Sequence, residues 1–251
     1  MRLAGKVAVV TGATSGFGDA IARLFAREGA AVVVHGRNRA IGEPLVEDLL
    51  ALGADACFVA GDVGDPDDAQ ALADATRERF GRVDALILNA GNVEDPTPFW
   101  EMPVEVFDDI VRTNLRGVWL CARACVPLMG EGASIVLMGS IASTIAAPGI
   151  GAYCASKGAV LQLARSMALD LTARGVRVNV VCPGVCETPM MRRNIEGPAA
   201  WTTREQIAAE IPVGRLGTAD EIARATLFFA SDDSTFCTGT SLIADGGVTA
   251  Q

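Results

Sequence analysis

The chain has 251 residues, half of them hydrophobic and a fifth charged, with a net charge of −9. That acidic balance argues against nucleic acid or an anionic membrane surface as a partner, and no apolar run approaches the ~18 residues a membrane span needs, despite a mean hydropathy of +0.33. The one histidine, His35, sits at the end of an expected strand and nearly excludes a Ser-His-Asp triad by counting, so an enzyme built on this chain must move protons through another group.

Arg2 is followed only by a short apolar strand and then glycine, not by a secretory leader, so a cytoplasmic protein is expected. Lys6 to Thr11 reads as a buried parallel strand. The glycine turn Thr11-Gly12-Ala13-Thr14-Ser15-Gly16-Phe17-Gly18 follows, then a helix with Ala20, Ile21, Leu24 and Phe25 on one face, then a strand from Ala31 to Val34. Strand, glycine turn, helix and strand make a right-handed βαβ unit.

The alternation continues with a helix from Ala40 to Leu52, a strand from Ala56 to Ala60, and a helix opened by Asp65-Pro66 that reaches Phe80. Asp84 to Leu88 predicts a strand. Two separate helices are expected near Val104 to Arg112 and Leu115 to Met129, and a strand at Ser134 to Met138. A long helix, Ile150 to Ala173, precedes a strand at Val176 to Val181. Thr218 to Ala230 predicts a helix and Ser241 to Ile243 the last strand. Between them, Glu187 to Glu210 is polar, weakly periodic and interrupted by Gly197-Pro198, so it is the natural mobile flap. The fold expected is α/β: a single Rossmann-type doubly wound domain over residues 1–251, with about seven parallel strands and helices on both faces.

Glycines 12, 16 and 18 end a strand and open a helix, so their backbone can approach a pyrophosphate at a helix N-terminus. The spacing is Gly-x-x-x-Gly-x-Gly. The second strand ends in His35-Gly36-Arg37-Asn38 with no acid to meet ribose hydroxyls. Gly36 leaves room and Arg37 can pair with a 2′-phosphate, which argues for NADP(H) over NAD(H). Tyr153 and Lys157 are four apart on one helix face, where an ammonium favours the phenolate and brings a phenol toward use near neutral pH. The seven cysteines lack the spacing and histidines of a zinc site and read as buried thiols.

Taken together, the chain resembles a classical short-chain dehydrogenase/reductase over essentially its whole length. The matching segments are Thr11 to Gly18, Asp62-Val63, Asn89-Ala90-Gly91, Asn114, Ser140, Tyr153-Cys154-Ala155-Ser156-Lys157, Pro183-Gly184 and Asp245-Gly246-Gly247. The resemblance implies a catalytic tetrad of Asn114, Ser140, Tyr153 and Lys157. Tyr153 would exchange the proton with the substrate oxygen and Ser140 would hold that oxygen. Lys157 would lower the tyrosine pKa and bind the nicotinamide ribose, and Asn114 would hold a water linking Lys157 to solvent. It also implies that Gly12, Thr14, Ser15, Gly16, Phe17 and Gly18 cradle the cofactor. Asp62 would contact the adenine amino group beside Val63, Asn89 to Gly91 and Pro183 to Val185 would line the cleft, and Thr188 would meet the carboxamide. Two departures stand out: Phe17 crowds the nicotinamide end, and Leu88 replaces a common asparagine, which removes one structural hydrogen bond.

Substrate would sit at the C-terminal strand edges, with Ser140, Ala142, Ile150, Tyr153, Cys186 and Met190 as lining residues. Ile145, Val185, Trp100 and Trp201 are further candidates. That surface is mostly apolar and suggests a hydrophobic or modestly polar ketone or secondary alcohol. Arg192 and Arg193 read as solvated. Arg112, Arg116 and Arg123 are too scattered for a carrier-protein dock. The resemblance implies a homotetramer paired through the helices Leu115 to Met129 and Ile150 to Ala173. The stretch Asp245 to Gln251 resembles members that gather C-terminal carboxylates around magnesium, but one carboxylate per subunit is a poor site and no metal is expected. The expected activity is interconversion of a ketone and a secondary alcohol with NADP(H). The alternatives are an NAD-dependent polyol or sugar dehydrogenase and a non-catalytic dinucleotide-binding sensor.

Overall fold

The computed structural model describes residues 1–196 and 202–251. Its centre is a seven-stranded parallel sheet in the order β3-β2-β1-β4-β5-β6-β7. The strands are β1 (Val7–Thr11), β2 (Ala31–Gly36), β3 (Ala56–Ala60), β4 (Ala85–Leu88), β5 (Ser134–Met138), β6 (Arg177–Pro183) and β7 (Ser241–Ala244). The helices are α1 (Gly16–Arg27), α2 (Arg39–Ala51), α3 (Pro66–Phe80), α4 (Val104–Val111), α5 (Gly117–Cys125), α6 (Gly151–Leu171), α7 (Pro189–Glu196), α8 (Arg204–Glu210) and α9 (Ala219–Ala230).

Two-residue alternation along each strand divides the core between the faces. Val9, Leu86, Ile135, Leu137 and Val178 join one cluster with α3, α5 and α6. Ala8, Val10, Ile87, Val136 and Val181 join the other with α1, α2 and α9. Both faces being covered explains why the strands read as continuous apolar runs. β1 pairs with β2 on one side and β4 on the other. The order reverses there, and a crevice opens beyond the strand ends.

Local chemistry sets the helix ends. Asp65 accepts from the backbone N–H of Asp67 and Asp68, Pro66 starts α3, and Gly81 closes it at φ 74°. Thr218 and Glu221 form a capping box on α9. One expectation is corrected: α4 and α5 are not two separate helices. They run on through a π turn, Arg112–Arg116, with no glycine or proline inside to break the chain. Pro127 then ends α5 in a 3₁₀ turn, short of Met129. α7 and α8 occupy much of the Glu187 to Glu210 stretch; Gly197, Pro198 and Trp201 lie outside the described residues, as does the side chain of Arg193.

Candidate active site

The crevice is a cleft of about 620 Å³ lined from the glycine turn at one end to α7 at the other. Its floor is the end of β1. Thr11 Oγ1 donates to the Ile87 carbonyl at 3.2 Å and accepts from the Asn89 and Ala90 amides at 3.0 and 3.2 Å. The Asn89 side chain donates to the carbonyls of Thr11 and Gly12 at 3.0 and 3.1 Å. Asn89 therefore ties the glycine turn to β4, while Leu88, 1 % exposed, packs in the core.

The turn fits a dinucleotide pyrophosphate on two counts. A Cβ on Gly18 would lie 2.2 Å from the Gly12 carbonyl oxygen, so α1 presses directly on the turn. Ser15 at the N-cap makes no side-chain bond to the first turn of α1, which leaves those N–H groups to an anion. Gly12, Thr14, Ser15, Gly16, Phe17, Arg37, Asp62, Val63, Asn89, Ala90, Gly91, Pro183, Gly184, Val185 and Thr188 all line the cleft. Gly18 supports the turn from behind. Asn38 caps α2, accepting from the Ala40 amide at 3.0 Å, and is not among the lining residues.

At the other end, α6 delivers Tyr153 and Lys157 in its first two turns. Lys157, 4 % exposed, donates from Nζ to the Met138 carbonyl at 2.8 Å and lies 5.6 Å from the Tyr153 ring centroid. Asn114, on the π turn, is fully buried. Its Oδ1 accepts from the Asn92 amide at 2.9 Å, and Nδ2 donates to the Asn92 carbonyl at 2.8 Å and to Ser156 Oγ at 3.1 Å. Ser156 Oγ donates in turn to the Tyr153 carbonyl at 2.8 Å. A Cβ on Gly91 would meet Asn114 Oδ1 at 3.2 Å and Lys157 Nζ at 3.4 Å, so Gly91 packs closely against both groups. π turns concentrate at functional sites, and this one carries Asn114, a residue of the expected tetrad.

Ser140 ends β5 and caps a 3₁₀ turn. Its Oγ accepts from the Ala142 amide at 3.1 Å, so its proton is free to be donated elsewhere. Ser143 accepts from the Ser140 amide and donates to the Lys157 carbonyl, which ties the end of β5 to α6. Ala142, Ile150, Cys186 and Met190 line the same end of the cleft, with Ile145 and Val185. Trp100 is 71 % exposed and does not line it. Arg192 is also exposed.

Burial dominates the titration behaviour. It pushes the Tyr153 phenol up, with a hydrogen bond from Ser140 pulling the other way and Glu94, Cys154 and Cys182 adding to the rise. It pushes Lys157 down to about 8, with Cys182 opposing. The depressed phenol expected from the ammonium alone is therefore not found: desolvation favours the neutral form of both groups. A neutral phenol beside the Ser140 hydroxyl is set to donate to an oxygen, and a cationic lysine next to it favours return of the proton in the opposite direction.

Glu94, Asn92, Ser156 and His35 were not singled out as site residues from sequence. Glu94, 7 % exposed, accepts from the Tyr153 amide at 3.1 Å and so steadies the first turn of α6. An acid two residues beyond a strand-end Gly-Asn was its only signal. At Asp62, burial raises the carboxyl, but the Gly64 amide and Arg112 more than reverse this. Asp245 accepts from its own loop, at the Gly247 and Thr249 amides and the Thr249 hydroxyl.

His35 lines the cleft, 1 % exposed, with neither ring nitrogen hydrogen-bonded. Burial holds it down at about 4, against an ordinary 6.5, with Asp68 and Asp62 opposing. The folded-state pKa is lowered, so the unfolded chain takes up this proton first as pH falls. The neutral ring's contribution is fully present above pH ~6.5 and is lost on acidification, about 2 kcal/mol between pH 7 and 5. Urea denaturation of the dinucleotide-free protein at both pH values checks this: the parent should lose that much, and His35→Val should lose much less.

A sheet of this order, a glycine turn at its switch point and a Ser-Tyr-Lys-Asn cluster at the strand ends define the class, and the comparisons agree. The chain belongs to the short-chain dehydrogenase/reductase family, oxidoreductases that use NAD(P)(H) and act on CH–OH groups. Residues 12–249 match the family model described as Enoyl-(Acyl carrier protein) reductase. The chain is 40 % identical to a 2-(R)-hydroxypropyl-CoM dehydrogenase of Xanthobacter autotrophicus, covering 98 % of this chain and 99 % of that one. It is 39 % identical to an A-factor type gamma-butyrolactone 1'-reductase (1S-forming) of Streptomyces virginiae, covering 98 % and 96 %. A crystal structure of a short-chain type dehydrogenase/reductase from Mycobacterium marinum superposes with a TM-score of 0.92 at 31 % identity, over 100 % of this chain and 98 % of that one.

Proposed function

We propose that the protein reduces a ketone to a secondary alcohol, reversibly, with NADP(H). The carrying observation is the rim of the cleft at the end of β2. A Cβ on Gly36 would meet the Thr14 side chain at 2.8 Å, so a larger side chain there requires Thr14 to shift, and glycine leaves the rim open. The exposed Arg37 next to it lines the cleft. The position that would read ribose hydroxyls holds no acid, and a guanidinium stands ready for a 2′-phosphate. Asp62 meets the adenine amino group, and Thr188, across from Gly16 at the mouth of the turn, meets the carboxamide. Bound nicotinamide supplies the hydride chemistry. Tyr153 passes its proton to the substrate oxygen, Ser140 donates to that oxygen and fixes it, Lys157 holds the ribose, and Asn114 connects Lys157 to solvent through a water.

The apolar lining, Ala142, Ile145, Ile150 and Met190 among it, supports a hydrophobic or modestly polar substrate over a polyol. A cytoplasmic homotetramer is the assembly we infer. The exposed apolar residues Trp119 on α5 and Leu169 on α6 support pairing through those helices. Initial rates with NADPH and NADH over a panel of ketones and polyols test the reading. NADPH should be preferred at least tenfold with ketones; a strong NADH preference would overturn the Arg37 argument, and best turnover of a polyol would overturn the ketone assignment.

A further inference from the structure

Arg112 stands where α4 enters the π turn, and its guanidinium is a planar fork able to serve two carboxylates. Nη1 donates to Asp62 Oδ2 at 3.0 Å and Nη2 to Asp109 Oδ1 at 2.9 Å. Asp109 is itself anchored, since its Oδ2 accepts from Asn92 Nδ2 at 2.7 Å. Two glycines allow the approach. A Cβ on Gly64 would meet Arg112 Nη1 at 2.3 Å, and one on Gly117 would meet Val63 at 2.7 Å. The Asp62-Val63-Gly64 segment is thus seated at two points on the helical run that carries Asn114. Asp62 Oδ1 accepts from the Gly64 amide at 2.9 Å, so the carboxylate is held at both oxygens and keeps lone pairs for a further donor.

Partly exposed ion pairs of this kind add little to folding stability. The arrangement has more to offer in orientation, because a carboxylate already fixed loses no rotamer freedom when a ligand binds. We propose that Arg112 is a positioning residue that holds the Asp62 carboxylate in the geometry that reads the adenine amino group. This rests on the assignment of Asp62 to the adenine end of a bound dinucleotide. It gives Arg112 a part in choosing the base, not in the chemistry at Tyr153.

Calorimetric titration with the nicotinamide-free fragment 2′-phospho-ADP-ribose, and with its deaminated hypoxanthine counterpart, tests this without turnover. The parent should prefer the adenine fragment, and Asp62→Ala should lose that preference. Arg112→Gln should bind the adenine fragment about tenfold more weakly, with the adenine-to-hypoxanthine ratio falling toward one. Arg112→Lys, able to serve one carboxylate at a time, should recover part of both. Because the ratio is taken within one variant, it is insensitive to a loss of folded protein. An Arg112→Gln ratio equal to the parent's, while Asp62→Ala loses it, overturns the role of Arg112. If Asp62→Ala keeps the parent ratio, the adenine assignment falls and this inference with it. If the parent binds neither fragment, the reading of the cleft as an NADP(H) site falls first, and this inference with it.

Discussion

Replacing Tyr153 by phenylalanine should lower kcat by about 10³-fold, the range in which removing a general acid falls, while dinucleotide affinity stays within a few-fold of the parent. The substitution deletes one oxygen and keeps the ring. The bonds that steady the site survive, because Glu94 holds the Tyr153 amide and Ser156 its carbonyl, and neither uses the phenol. Stability should therefore change by about 1 kcal/mol or less. Since Tyr153 is the only tyrosine in the chain, ultraviolet titration of tyrosinate reports on this residue alone. In the dinucleotide-free protein the signal should appear above the ordinary value of 10, as burial requires. Unchanged turnover in Tyr153→Phe would remove the tyrosine from the chemistry.

Gly18→Ala is expected to be the most damaging single-methyl change in the cleft. The new Cβ would lie 2.2 Å from the Gly12 carbonyl oxygen, 2.7 Å from Asn89 Nδ2 and 2.8 Å from Ala13 Cα. Two of these neighbours are backbone and cannot rotate away, so α1 must lift off the turn and the Asn89 tie must loosen. We expect a loss of about 3 kcal/mol in stability and about 10²-fold in dinucleotide affinity, because the amides at the α1 N-terminus no longer converge. Gly158→Ala is the control. It is also a helical glycine, but its Cβ would have only the Ser143 carbonyl at 3.9 Å, so stability should hold or rise by up to about 1 kcal/mol. Equal stability for both variants in denaturant titrations would contradict the steric argument.

The strands and the site motifs were legible for a physical reason. A sheet buried on both faces demands continuous apolar runs, and five of the seven strands end at or beside a residue that lines or ties together the cleft: Thr11, His35, Asn89, Ser140, Pro183. The spacing of Tyr153 and Lys157 on α6 was likewise a matter of helix period. The π turn was not legible, since it differs from an α-helix only in which carbonyl each amide chooses, and Arg112 to Arg116 carries no breaker. Asn92, Glu94 and Ser156 were missed because their roles depend on facing Asn114 and Tyr153, residues 22, 59 and 3 positions away respectively. The sign of the tyrosine shift was misjudged for a related reason. Spacing reveals a charge pair, but desolvation depends on everything packed around it, and here it is the largest cause at both groups.

The central claim is that this cluster carries out hydride transfer coupled to protonation by Tyr153. The most direct test is to follow deuterium from NADPH labelled at the transferring position of C4 into the product of a ketone substrate, with the parent and Tyr153→Phe side by side. The account predicts one deuterium on the carbinol carbon, one equivalent of NADPH oxidised per alcohol formed, and near-complete loss of both in the variant. A parent that binds NADPH tightly yet transfers no deuterium to any ketone would contradict it and leave a dinucleotide sensor in its place.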